Sequence, residues 1–209
     1  MADSKIAAHF TNARPLFWKW FKKNEQFLKS DAPENNLLNE FLDQLHLFDS
    51  RLYFLISTNQ DPNELIITAE GNSKAFESAE SLVSSAPEIE GWAAIALKPP
   101  MGFDFIHQDG KIRLHASKLW FMPLHSEADP KGLGIMLGMP NVDFVLDNQS
   151  VDTAYTILES GIGERSCTED IAHLVVSDLP DSPAEEGYIE LDKLASYIAF
   201  HKRRVSSHP

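Results

Sequence analysis

The chain has 209 residues, 43% of them hydrophobic and 23% charged. A length of this order buries enough surface to build a core without disulfide or metal staples. The formal charge of −13 repels phosphate backbones and anionic lipid surfaces, so direct nucleic-acid binding and membrane attachment are not expected. One cysteine, Cys167, excludes an internal disulfide. With no signal-like apolar run near the start, the expected location is the cytoplasm.

Pro15 suits a first helical turn, and Leu16, Phe17, Trp20, Phe21, Phe27 and Leu28 form a broad apolar face behind it. Asp31-Ala-Pro33 breaks that pattern. Leu37, Leu38, Phe41, Leu42, Leu45 and Phe48 then give a second helix over 34–48. Residues 15–48 therefore read as a helical hairpin. Trp18 cannot share the face of Trp20. It is either an outward contact residue or lies under the second helix.

Short strands follow. Residues 52–57 are rich in strand formers, 59–63 make a turn, and 65–69 are the next strand. Asn72 or Ser73 caps a helix running to about residue 85, and 92–97 are a third strand stopped by Pro99-Pro100. Asp109-Gly110 predicts a small hairpin pairing 103–107 with 112–115. The earlier order then recurs. Residues 119–124 are a strand with Pro123 at an edge or bulge, 128–132 a turn, and 133–137 a strand. Residues 150–160 form a helix stopped by Gly161 and Gly163, and 171–176 a last strand. A C-terminal helix covers 190–201. Strand, turn, strand, helix, strand thus appears twice, over 51–97 and 118–177.

The expected fold is a single α+β domain over 1–209. It has two ββαβ (ferredoxin-like) units forming mixed, mostly antiparallel sheet with helices mainly on one face, either as one continuous sheet or as two sheets packed together.

Five segments carry a resemblance: Phe17-Trp-Lys-Trp-Phe21, Leu65-Ile-Ile-Thr-Ala-Glu-Gly71, Ala86-Pro-Glu-Ile-Glu-Gly-Trp92, Ala96-Leu-Lys-Pro-Pro100 and Ile162-Gly-Glu164. Together the chain resembles an uncharacterised bacterial family carrying a domain of unknown function. More distantly, it looks like the B-type protein inhibitors of ribonuclease E, small acidic proteins. The resemblance implies a fold and supplies no catalytic residues.

Chemical signatures are few. The eight histidines make no His-x-x-x-His helix pair, and a lone cysteine makes no Cys-x-x-Cys set. His107 and His115 would face each other if the 103–115 hairpin pairs in that register, and Asp104 would complete a metal site. The alternative is an ordinary polar hairpin. Cys167 has Arg165 near it but also Glu164, Glu169 and Asp170, a balance that favours an unreactive thiol. Gly132-Leu-Gly134 and Gly161-Ile-Gly163 lack the strand–loop–helix order of a phosphate cradle, and no cofactor is implied. Glu70, at a strand end, and Glu164, after a helix stop, are the carboxylates placed where sites gather. If the two units enclose a cleft, the pair could serve as general acid and base. The other reading of both is a cap or a surface ion pair. Lys19, Lys22, Lys23 and the His201-Lys-Arg-Arg204 run read as a solvated helix face and a frayed tail.

Two functions remain. One is a non-enzymatic interaction or regulatory module whose acidic surface meets a basic protein. The other is a small-molecule-binding protein or hydrolase with a carboxylate-lined cleft.

Overall fold

The computed structural model describes residues 2–30, 34–110, 112–126, 129–140 and 148–206. The expected break at Asp31-Ala-Pro33 and part of the 128–132 turn lie outside them. The described chain is mixed α+β and divides into two compact units, Met1–Lys98 and Pro99–Pro209.

In the first unit, α1 (Ala2–Leu28) passes through Pro15 instead of starting there. A proline costs a helix one backbone donor. Here Phe17, Trp18, Phe21 and Leu28 all bury their side chains on the helix beyond it. The second helix, α2 (Asn35–His46), adds Phe41 and Leu45 to the same core. The aromatic rings meet edge to face: Phe17 and Trp18 at 5.0 Å, Phe17 and Phe41 at 5.5 Å.

Three strands follow, β1 (Tyr53–Ser57), β2 (Asn63–Thr68) and β3 (Trp92–Ala96), in spatial order β1-β2-β3. The hairpin β1–β2 is antiparallel and β2–β3 is parallel. The crossover between β2 and β3 carries a short 3-10 turn, Ser73–Ala75, and α3 (Phe76–Ser84). Asn72 caps that turn, its side chain accepting from the Lys74 amide at 3.2 Å. Phe54, Ile56, Leu65, Ile67, Trp92 and Ala94 pack into the core with the helices.

The second unit opens with the hairpin β4 (Ile106–Asp109) and β5 (Ile112–His115). Its main sheet has the order β8-β7-β6-β9, built from β6 (Trp120–Leu124), β7 (Leu133–Met139), β8 (Ile171–Asp178) and β9 (Ile189–Glu190). Strands β6–β7 are antiparallel and β7–β8 parallel, so the ββαβ pairing of the first unit recurs. Among the described residues, strand β9 pairs with Trp120 and Phe121 alone. Pro123 therefore sits where β6 has a free edge, which a residue without an amide hydrogen tolerates.

Between β7 and β8 lie α4 (Asn148–Ile162) and α5 (Glu164–Asp170). Gly161 is inside α4, not beyond it. It is glycine because a Cβ there would fall on the ring of Phe103. The helix ends at Gly163, whose φ of 84° suits glycine. The last helix, α6 (Leu194–Ser206), runs through the basic run expected to fray and buries Leu194, Ile198 and His201. Phe121, Ile135 and Leu137 meet Ala154, Ile157, Leu158, Leu194 and Ile198 in this unit's core.

Candidate functional site

Trp18 is a core residue, not a surface contact. It is 3% exposed, and its indole Nε1 donates to the Leu82 carbonyl at 3.0 Å and to Ser85 Oγ at 3.3 Å. The outward reading fails because the ring packs between α1 and α3, where burial and a satisfied N–H coincide.

The hairpin register also corrects the metal reading. His107 pairs with Leu114, and His115 pairs with Ile106. Alternation then puts the two imidazoles on opposite faces of the hairpin, where they cannot converge on one ion. Neither these two with Asp104 nor any other group of three His, Cys, Asp or Glu could hold a metal among the described residues.

Glu70 and Glu164 belong to different units and different environments. Glu70 follows β2 at φ 49°, its side chain is 48% exposed, and Oε2 accepts from Lys98 Nζ at 3.0 Å. An exposed pair of this kind contributes little. Glu164 is fully buried in the first turn of α5, where the helix dipole favours a carboxylate. Cys167 is buried in the apolar core of its unit, which suits a structural thiol.

A different feature stands out in the first unit. Alternation along each strand gives the sheet two faces. One packs on the helices. The other carries Leu55, Ile66 and Ile95, which lie directly opposite one another as a single row across all three strands. Tyr53 stands beside this row on β1. Tyr53 and Leu55 are 44% and 46% exposed. The next row is Ser57, Glu64 and Ala93. Glu64, with Asp61 in the β1–β2 turn, brings negative charge to one end, and neither has an ion-pair partner among the described residues.

This row was missed at the sequence level, yet its signal was present. A strand with one solvated face alternates, whereas residues 52–56 and 65–67 are unbroken apolar runs, the mark of two faces that seek cover.

Ion pairs elsewhere hold the scaffold. Arg51 grips Asp49 through Nε at 2.8 Å and through Nη2, and reaches the Lys74 carbonyl at 2.9 Å. It ties the start of β1 to the approach to α3. These hydrogen bonds, acting against burial, hold the Asp49 carboxyl down at about 2, from an ordinary 3.8. Glu25 is also held below the usual carboxylate range. Burial pushes it up, and hydrogen bonds from Trp92, Lys29 and Gln26 outweigh that.

No helix among the described residues is long and apolar enough to cross a membrane. Comparison with protein-family models, with curated proteins and with solved structures gives no match.

Proposed function

We propose that this chain is a non-enzymatic protein-interaction module that docks a basic protein surface on the Leu55–Ile66–Ile95 face of its first sheet. The observation that carries the reading is the cross-strand row itself. It is an aliphatic stripe on the sheet face away from the helices, in which Leu55 is exposed and Ile66 and Ile95 are half-buried, with Tyr53 exposed beside it. Apolar groups left in water on one contiguous face are the usual mark of a contact surface. The charge of −13, with Asp61 and Glu64 at the end of the stripe, fits a partner that offers Lys or Arg around an apolar centre. In this reading the two ββαβ units are a ferredoxin-like duplication, and the resemblance to small acidic inhibitor proteins points the same way.

The test is affinity capture with the full chain at low and moderate salt, comparing wild type with Leu55→Asp. Leu55 is half in solvent, so circular dichroism should be unchanged by the substitution. The expected result is a basic partner held by wild type at low salt, weakened as salt rises and absent from the variant. Recovery of the same partner by Leu55→Asp would contradict the reading.

A further inference from the structure

The edge of the first sheet carries a feature that the stripe does not use. Strand β3 has β2 on one side and, among the described residues, no strand on the other. Its run Trp92-Ala-Ala-Ile-Ala-Leu97 holds no charge and no proline, two of the devices that blunt a sheet edge. The Gly91 carbonyl accepts from the Asn63 amide at 3.0 Å, and the Leu97 amide donates to the Ile67 carbonyl at 2.8 Å. In a parallel ladder each residue turns its N–H and C=O to one side, and the next residue turns them to the other. Gly91, Ala93, Ile95 and Leu97 therefore face β2, while Trp92, Ala94 and Ala96 turn their backbone groups outward. The Trp92 amide is taken by the Ile89 carbonyl at 3.1 Å. Among the described residues, the Trp92 carbonyl and both backbone groups of Ala94 and Ala96 have no partner. Such a row is a template for another strand.

A hollow of about 160 Å³ adjoins this edge, lined by Trp18, Phe21, Leu65, Val83, Ile89 and Trp92, and by Ala93 and Ala94 of the strand itself. Both indole N–H groups are already engaged, that of Trp18 by Leu82 and Ser85 and that of Trp92 by Glu25 Oε2 at 2.9 Å. The walls therefore offer ring carbons and aliphatic groups. Glu88 is the one charged residue in the described lining, and Glu90 follows in the same loop; both are exposed. An apolar cavity of about 150 Å³ takes up a benzene ring, so the hollow accommodates one phenylalanine side chain.

We infer that β3 receives an extended peptide as a fourth strand, with one bulky apolar side chain seated in the hollow and a lysine or arginine beside Glu88 and Glu90. Backbone bonds to Ala94 and Ala96 supply affinity, and the hollow and the acids supply selectivity. A second copy of this chain fits less well, because its charge of −13 repels an identical partner. The site goes beyond the stripe and does not involve Leu55.

The test is calorimetry and amide exchange on the full chain with the synthetic peptide acetyl-Lys-Val-Phe-Val-Lys-amide. The site predicts saturable binding that slows exchange at the Ala94 and Ala96 amides. Replacing the peptide's phenylalanine by serine should weaken binding at least about tenfold, the scale of one unburied aromatic side chain. Two further peptides, N-methylated at alternate amides in the two possible phases, should part: the one methylated toward β3 fails and the other binds. Ala94→Pro removes the outward donor and spares the β2 ladder, a placement that an edge strand tolerates, so it should weaken binding about tenfold. If that variant fails to fold, the methylated pair decides. Leu55→Asp should bind the peptide as wild type does, which separates this site from the stripe. The assignment is overturned by no saturable binding, by methylated peptides that behave alike, or by loss of binding in Leu55→Asp. Self-association of the free chain that protects Ala94 and Ala96 would give the edge to a second copy and overturn it too.

Discussion

Single side chains set the firmest expectations. The Asp49 carboxyl is held at about 2 by Arg51, below its ordinary 3.8. A carboxyl depressed in the folded state adds stability that is fully present above the unfolded value and is lost as pH falls through the folded one. At neutral pH that is about 2 kcal/mol. Asp49→Asn should therefore lower the urea-unfolding free energy by about that amount at pH 7, and the gap to wild type should close as pH falls from about 4 toward 2. Trp18 offers a second case. Trp18→Phe keeps most of the buried ring but removes the Nε1 donor. The Leu82 carbonyl still accepts from Ser85 Oγ at 2.7 Å, so no buried acceptor is orphaned. The cost in thermal or urea unfolding should be about 1–2 kcal/mol, a lost hydrogen bond plus slight underpacking.

At the scale of elements, Gly161 shows how packing overrides local signals. Read alone, Gly161-Ile-Gly163 looks like a helix stop. In the fold the first glycine admits Phe103 against α4, while Met101 and Gly102 donate backbone hydrogen bonds to Ser160 and Gly161. Gly161→Ala should destabilise the protein by about 1–3 kcal/mol through overpacking, measured by urea unfolding. The same contrast describes what the sequence disclosed. Helices and strands with strong apolar periods were legible, and so was the repeated order of strand, strand, helix, strand. Two elements were not. The α5 segment Glu164–Asp170 has only Cys167 as an apolar anchor, and β9 is two residues long. The side of α1 on which Trp18 lies depended on where α3 packs, and no periodicity carries that. The hairpin register, which separates His107 from His115, slipped by one residue from the expected pairing. One residue is enough to turn a side chain to the other face. The Leu55–Ile66–Ile95 row was half-legible, since the apolar runs were plain but their register was not.

At the scale of the whole molecule, an acidic chain carries one partly exposed aliphatic stripe. Negative charge steers a basic partner and sets the salt dependence, while the apolar row supplies the short-range contact. Raising salt should slow association more than it speeds dissociation, since screening acts on the encounter. Leu55→Asp should do the reverse, and surface plasmon resonance on a captured partner separates the two. The most direct measurement is amide hydrogen exchange on the full chain with and without that partner. The account predicts that exchange slows across Tyr53–Ser57 and Asn63–Thr68, and that this protection vanishes in Leu55→Asp. Protection confined to other segments, with β1 and β2 exchanging as in the free chain, would contradict it.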